Sequence, residues 1–207
     1  NDTTLTNSST VNLYDLFTHG YNLDEAGGGG DPENYRADAI GSLNLADVND
    51  VTQEDGVSTA TVKSAGFTRS SSMRLTHADN ADFDNDNTKF FGWMMWVYLT
   101  ADDATEFIVS KQNSGVTGAD WNIMYHGSVL QQFKWGVAKS SAAAEQANWA
   151  TRYDPALVDT WYMIAGWFDP TDVGSGSKNS YVNVTKVGDA FDAGTTATLH
   201  QGWSSDR

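Results

Sequence analysis

Apolar residues along the chain recur in short alternating or continuous runs, separated by clusters of Asp, Asn, Gly and Ser, and almost nowhere at the interval of a helix. The pattern predicts strands at Leu43–Ala46, Ala60–Thr68, Ser72–Thr76, Lys89–Thr100, Glu106–Lys111, Trp121–His126, Val129–Val137, Ala147–Thr151, Thr160–Asp169 and Asn179–Thr185. One run, Ser140–Ala147, has a helix-friendly composition. It is short and poor in apolar anchors, so it reads as a loop or a single turn. Short strands at this spacing predict an all-β fold, an antiparallel two-sheet sandwich or jelly roll.

Two runs carry most of the burial signal. In Phe90–Leu99 both alternating sets are apolar, which predicts a central strand covered on both faces for part of its length, with Trp161–Phe168 as its partner. Trp121–Tyr125 and Gln131–Val137 flank His126-Gly127-Ser128 and read as a hairpin, with Gly127 supplying a positive φ. Phe133, Trp135 and Val137 share one face of the second arm and predict core, while Gln132, Lys134 and Gly136 share the other and predict water. Residues 1–12 are rich in Thr, Ser and Asn and read as a flexible lead-in, whereas Gly27–Gly30 opens a loop reaching about Ser42. No Lys-Ser or Lys-Thr and no helix follows those glycines, so they are not a phosphate loop.

Composition adds exclusions. Of 207 residues, 40% are hydrophobic and 12% aromatic, enough for a packed core and against disorder. With 27 acidic against 12 basic side chains and a net charge of −15, the chain lacks the cationic surface that counterion release at phosphates requires, which argues against a nucleic-acid partner. Only Glu25, Glu33, Glu54, Glu106 and Glu145 among the acids are Glu. The dominance of Asp, a turn and cap residue, again favours strands joined by loops. The absence of cysteine removes disulfides, thiolate metal sites and thiol nucleophiles. No apolar stretch approaches the ~20 residues of a membrane helix, so no membrane insertion is expected. The first residue is Asn1 rather than Met, which suits a processed product or a piece of something longer.

Several local patterns, taken in order, resemble a known family. They are Tyr21-Asn22-Leu23-Asp24-Glu25-Ala26, a glycine and aspartate loop, Ala65-Gly66-Phe67, the run from Met73 to Phe83, Phe91 to Leu99, Ile108-Val109-Ser110-Lys111 and Trp161 to Gly166. Together they resemble laminin-G-like domains of the concanavalin A-like lectin and glucanase superfamily, of the type found in phage structural proteins and microbial surface proteins. The resemblance covers roughly Phe17 to Thr185 and consists of core and turn motifs. It implies a jelly roll of two curved antiparallel sheets over residues 13–207 as a single lectin-like domain, with ligands at the concave face or along the loop rim. In that family a segment like Thr196–Arg207 is usually followed by further strands that close the sheet. The domain is therefore expected to lack the final strands, either as a fragment or because a neighbouring chain or domain completes the sheet.

The glucanase branch uses a Glu-x-Asp-x-x-Glu type strand, which sets carboxylates on one face about 5 Å apart. No such run occurs here. Glu54-Asp55 and Asp24-Glu25 are adjacent, would point to opposite faces of a strand, and read as turn and loop acids. His19, His77, His126 and His200 are isolated in sequence from each other and from any nucleophile elbow, and read as surface or strand-end residues. The leading metal candidate is calcium at Asp79, Asp82, Asp84 and Asp86, because alternate Asp residues interleaved with Asn supply hard oxygen ligands at high density. Asp24, Asp31 and Asp38 form a second candidate cluster. Sugar rings stack on exposed Trp and Tyr, so the glycan-binding candidates are Trp121, Tyr125, Trp149 and Tyr153, at strand edges or in loops. Trp93, Trp96, Trp161 and Trp167 read as core, and Trp203 as cover for the missing-strand position.

These readings predict a non-catalytic, lectin-like interaction module of an extracellular, cell-surface or virion protein that binds a glycan or surface polymer. The alternative is a structural, decoration or appendage subunit acting through protein contacts. A glycoside hydrolase or lyase is the remote third.

Overall fold

The computed structural model describes residues 17–25, 35–57, 63–84, 90–102, 104–112, 119–127, 130–138, 145–149, 153, 155–174 and 177–189. Nearly all regular structure among them is antiparallel strand, as the alternation pattern predicts. Helical geometry is confined there to two single-turn 3-10 segments, Arg69–Ser71 and Ala81–Phe83. The lead-in at residues 1–12 lies outside the described residues. By its contacts the chain divides into two compact units, Asn1–Asp82 and Phe83–Arg207.

In the first unit, β1 (Tyr35–Arg36), β2 (Leu45–Val48) and β5 (Arg74–Thr76) form a sheet in the order β1-β2-β5, while β3 (Thr52–Asp55) pairs with β4 (Lys63–Gly66). All four residues of β3 are exposed. Such a strand carries no apolar alternation, and its Glu54 and Asp55, read from sequence as turn acids, are strand residues opposite Ser64 and Lys63. The Lys63 Nζ–Asp55 Oδ1 ion pair at 2.7 Å lies on that register. Between β2 and β3, Asn49 and Asp50 take φ of 66° and 57°, the left-handed region that Asn and Asp tolerate best. Beneath this turn, Arg36 is wholly buried, donates to the Val51 carbonyl at 2.9 Å and pairs with Asp47 at 3.2 Å.

The second unit holds two sheets. One has the order β10-β9-β8-β7, built from β7 (Thr105–Gln112), β8 (Ala119–His126), β9 (Gln132–Ala138) and β10 (Glu145–Trp149). The other has the order β12-β11-β6, built from β6 (Phe91–Leu99), β11 (Thr160–Gly174) and β12 (Ser177–Lys186). Period-2 alternation turns one face of each into a common core. Trp121, Ile123, Tyr125, Phe133 and Trp135 come from the first sheet, and Leu99, Tyr162, Ile164, Val182 and Val184 from the second. Trp135 is the hub, with ring centroids of Trp93, Trp121 and Phe91 at 5.3, 6.0 and 6.1 Å. Each such aromatic pair adds about 0.5–1.5 kcal/mol beyond area burial.

The predicted partnership of β6 with β11 is present, from Thr160↔Leu99 to Phe168↔Phe91. Double-sided burial of β6 is not. Among the described strands β6 ends its sheet order, and only its odd positions from Phe91 to Leu99 face the core. The β8–β9 expectations also need correction. Gln132 and Gly136, assigned to water, are buried, and Lys134 is half-buried. Gly127 does not have a positive φ; that conformation falls on Gln131, at 50°. Glycine is required at 127 for a different reason: a Cβ there would lie 2.5 Å from the carbonyl oxygens of both Asp102 and Ala104.

A second close approach fixes the core side of β11. Gly166 stands opposite Trp93, and a Cβ on it would lie 2.4 Å from Trp93 Cζ2. The indole therefore occupies the space of a missing side chain. Gly166→Ala is expected to lower stability by about 1–3 kcal/mol through overpacking. Adding Trp93→Ala should recover little, because removing the indole opens a cavity that itself costs about 3–5 kcal/mol. Urea unfolding midpoints of the parent and the two variants check both statements.

Candidate functional site

The strongest candidate is the outward face of the β12-β11-β6 sheet. Because Tyr162, Ile164, Val182 and Val184 point to the core, the intervening residues of β11 and β12 point away from it, as do the even positions of β6. The register sets Tyr98 opposite Trp161, Trp96 opposite Met163 and Thr185, Met94 opposite Ala165 and Asn183, and Gly92 opposite Trp167 and Tyr181. Met94, Trp96 and Tyr98 are 41, 47 and 41% exposed, which is exceptional for three large apolar residues at alternate positions of one strand. Two ring pairs brace the face: Tyr98–Trp161 at 5.3 Å and 52°, and Trp167–Tyr181 stacked at 5.1 Å and 14°. Asn183 and Thr185 lie at its β12 side, both buried.

This reverses the assignment of tryptophans made from sequence. Trp121 and Tyr125, taken there as stacking candidates, are 7 and 1% exposed and sit in the core with Ile123. Trp96, Trp161 and Trp167, taken as core, occupy outward positions. Trp93 is in the core as expected. Tyr153 is half-buried, packs edge-on against Tyr162 at 5.4 Å, donates to Asp189 at 2.8 Å and accepts the Lys186 N–H at 3.0 Å. It fastens the end of β12 rather than offering a ring face. Trp149 lies in β10 opposite Lys134, with its side chain outside the described set. Trp203 lies outside the described residues. No composition signal separates the two groups of tryptophans; what separates them is strand parity, and in β6 and β11 both parities are apolar.

The described members of the acidic run do not gather. Asp82 is exposed in the turn Ala81–Phe83 and stands 3.4 Å from His19 Nε2, while Asp84 forms an ion pair with Lys111. Asp79 is exposed, and Asp86 lies outside the described residues. Among the described residues, no three His, Asp or Glu side chains are grouped as a metal site.

The second candidate cluster resolves differently again. Asp24 is exposed and Asp31 lies outside the described residues. Asp38 is buried and organises the loop of the first unit. Its Oδ1 accepts the N–H groups of Gly20, Ile40 and Gly41 at 3.0, 3.2 and 2.9 Å. Its Oδ2 accepts the Leu43 N–H at 3.1 Å and lies 2.6 Å from His19 Nδ1. Burial alone pushes this carboxyl up, but the N–H groups of Gly20, Gly41 and Leu43 and the imidazole outweigh it and hold it well below the usual carboxylate range. Burial, and then the Asp38 charge, push the Tyr21 hydroxyl up to about 12, where it stays neutral and donates to the Leu43 carbonyl at 2.6 Å. Sequence reading left His19 isolated because its partner lies 19 positions away. Four backbone N–H groups and the imidazole thus converge on Asp38 and close the loop around it.

No protein-family model, curated protein or solved structure gives a match to this chain. No helix among the described residues is long and apolar enough to cross a membrane.

Proposed function

We propose that the protein is a non-catalytic interaction module of the laminin-G-like, concanavalin A-like type, in an extracellular, cell-surface or virion protein, that binds a glycan or surface polymer. The observation that carries this reading is the outward aromatic face of β12-β11-β6, where Trp96 and Tyr98 are exposed and the Tyr98–Trp161 and Trp167–Tyr181 ring pairs lie toward opposite ends. The C–H faces of sugar rings stack on such surfaces, and a sheet pinned by a core on its other side presents the rings without an ordering cost. Two core-sharing sheets and the order of the core motifs support the jelly-roll assignment. Asp38, Asp47, Asp55 and Asp84 are each held by a nearby backbone or cationic partner, a structural use of carboxylates that suits the non-catalytic reading.

A glycan array probed with and without calcium tests the proposal. Binding is expected, and Trp96→Ala should weaken it about tenfold or more, equivalent to about 1.4 kcal/mol, with the unfolding midpoint little changed. No carbohydrate bound at millimolar concentration in either condition would sink it. Met94 and Met163 on the same face favour a protein partner as the second reading, because Met is adaptable and frequent at docking surfaces. Under that reading the chain is a structural or appendage subunit. Sedimentation that shows only monomer at physiological salt across a wide concentration range counts against self-assembly through this face.

A further inference from the structure

The aromatic side chains of the outward face fall at its two ends. Trp96, Tyr98 and Trp161 occupy one end, and Trp167 with Tyr181 the other. Trp161 and Trp167 are six positions apart on a single strand, about 20 Å at about 3.3 Å per residue. Met163 and Ala165 lie between them on the same side of β11. Trp96 stands opposite Met163, so the aromatic surface continues inward from one end. A ligand that engages both ends must itself be extended along β11. A single sugar or a compact head group reaches only one.

Charge narrows the chemistry further. None of the outward positions in the paired stretches Gly92–Tyr98, Trp161–Trp167 and Tyr181–Thr185 is Asp, Glu, Lys, Arg or His. The chain as a whole carries −15. An anionic polymer would find no cation on the face and would be repelled by the surrounding field, and a cationic one would find no carboxylate there.

We infer that the ligand of this face is an uncharged linear polysaccharide lying along β11, stacked on the Tyr98–Trp161 pair at one end and the Trp167–Tyr181 pair at the other. This inference rests on the glycan reading above and specifies its substrate class. The two ends act as linked subsites, so affinity rises with ligand length until both are covered.

Affinity gel electrophoresis of the full chain tests it, with amylose, hydroxyethyl cellulose, galactomannan and laminarin as neutral polymers and alginate and polygalacturonate as anionic ones. Retardation by at least one neutral polymer and by neither anionic polymer is expected. Titration with oligomers of the retarding polymer should show at least tenfold tighter binding for the hexamer than for the dimer. Trp161→Ala and Trp167→Ala, both at half-buried positions and so measured well below their own unfolding midpoints, should each remove most of that length advantage, whereas Trp161→Phe and Trp167→Phe should retain much of it. Binding to an anionic polymer as strong as to any neutral one, or a dimer bound as tightly as the hexamer, overturns the inference and leaves the glycan reading standing. No retardation by any polymer overturns both, and self-association that Trp96→Ala abolishes would then identify the face as a protein contact.

Discussion

Asp38→Asn is expected to cost on the order of 3–5 kcal/mol at neutral pH, a large fraction of the stability of a domain this size. The native carboxylate accepts four backbone N–H groups and faces His19 Nδ1 at 2.6 Å. An asparagine has one acceptor oxygen and one NH2 group. If its oxygen takes the place of Oδ1, the NH2 group meets the Leu43 N–H; if reversed, it meets the N–H groups of Gly20, Ile40 and Gly41. Either way a donor faces a donor inside the loop, and the charge that strengthens the remaining bonds is gone. Because the folded carboxyl lies below its unfolded value, its contribution is complete above the unfolded pKa of about 3.9 and is lost as pH falls through the folded value. The difference in unfolding free energy between parent and variant should therefore shrink as pH falls below about 4. Urea unfolding of both proteins as pH is lowered reads the difference directly, and the other carboxylates cancel. A gap that stays the same down to pH 2.5 would show that the charge of Asp38 does not hold the loop.

Alternation made the large strands legible in sequence, β12 among them, and with them two pairings, β6 beside β11 and the β8–β9 hairpin. Elements without apolar alternation were not legible. β3 is polar at every position, and β1 is two residues long. The side of a strand that meets the core was readable where only one parity is apolar, as for Phe133 and Trp135 in β9. It was not readable in β6 and β11, where Trp93 and Trp96 differ only by an odd number of positions and point oppositely. Trp121 and Tyr125 read as stacking candidates at strand edges, whereas both lie in the core. A usable signal existed, since Trp121, Ile123 and Tyr125 share a parity and Asn122 interrupts the other. The loop centred on Asp38 could not have been inferred, because its donors come from separate segments and four of them are backbone groups with no side-chain identity.

The same distinction bears on how an acidic chain holds itself together. The many Asp residues look alike in sequence, yet the structure divides them into exposed ones, such as Asp55 with Lys63, and buried ones, such as Asp38 and Asp47. Exposed pairs are worth about 0–1 kcal/mol. The buried ones satisfy backbone groups that have turned away from any ladder, so their loss is felt in the fold rather than at the surface.

Arg36 and Asp47 make the clearest case, because together they serve Val51, a fully buried residue between β2 and β3. The guanidinium donates to the Val51 carbonyl at 2.9 Å, and Asp47 accepts the Val51 N–H at 2.9 Å. Arg36→Met should cost about 3–5 kcal/mol, since it leaves a buried carboxylate without its cation and a carbonyl without its donor. Asp47→Leu should cost a similar amount for the mirror reasons. The double variant removes both charges but still leaves both backbone groups of Val51 unpaired, at about 1–3 kcal/mol each. It should therefore be about as unstable as either single variant, far short of their sum, and the cycle should return a coupling of several kcal/mol. Strict additivity would mean that the two side chains act independently and that the 3.2 Å ion pair carries no weight. Recovery of full parental stability in the double variant would instead mean that Val51 finds other partners, and that the pair serves itself rather than the turn.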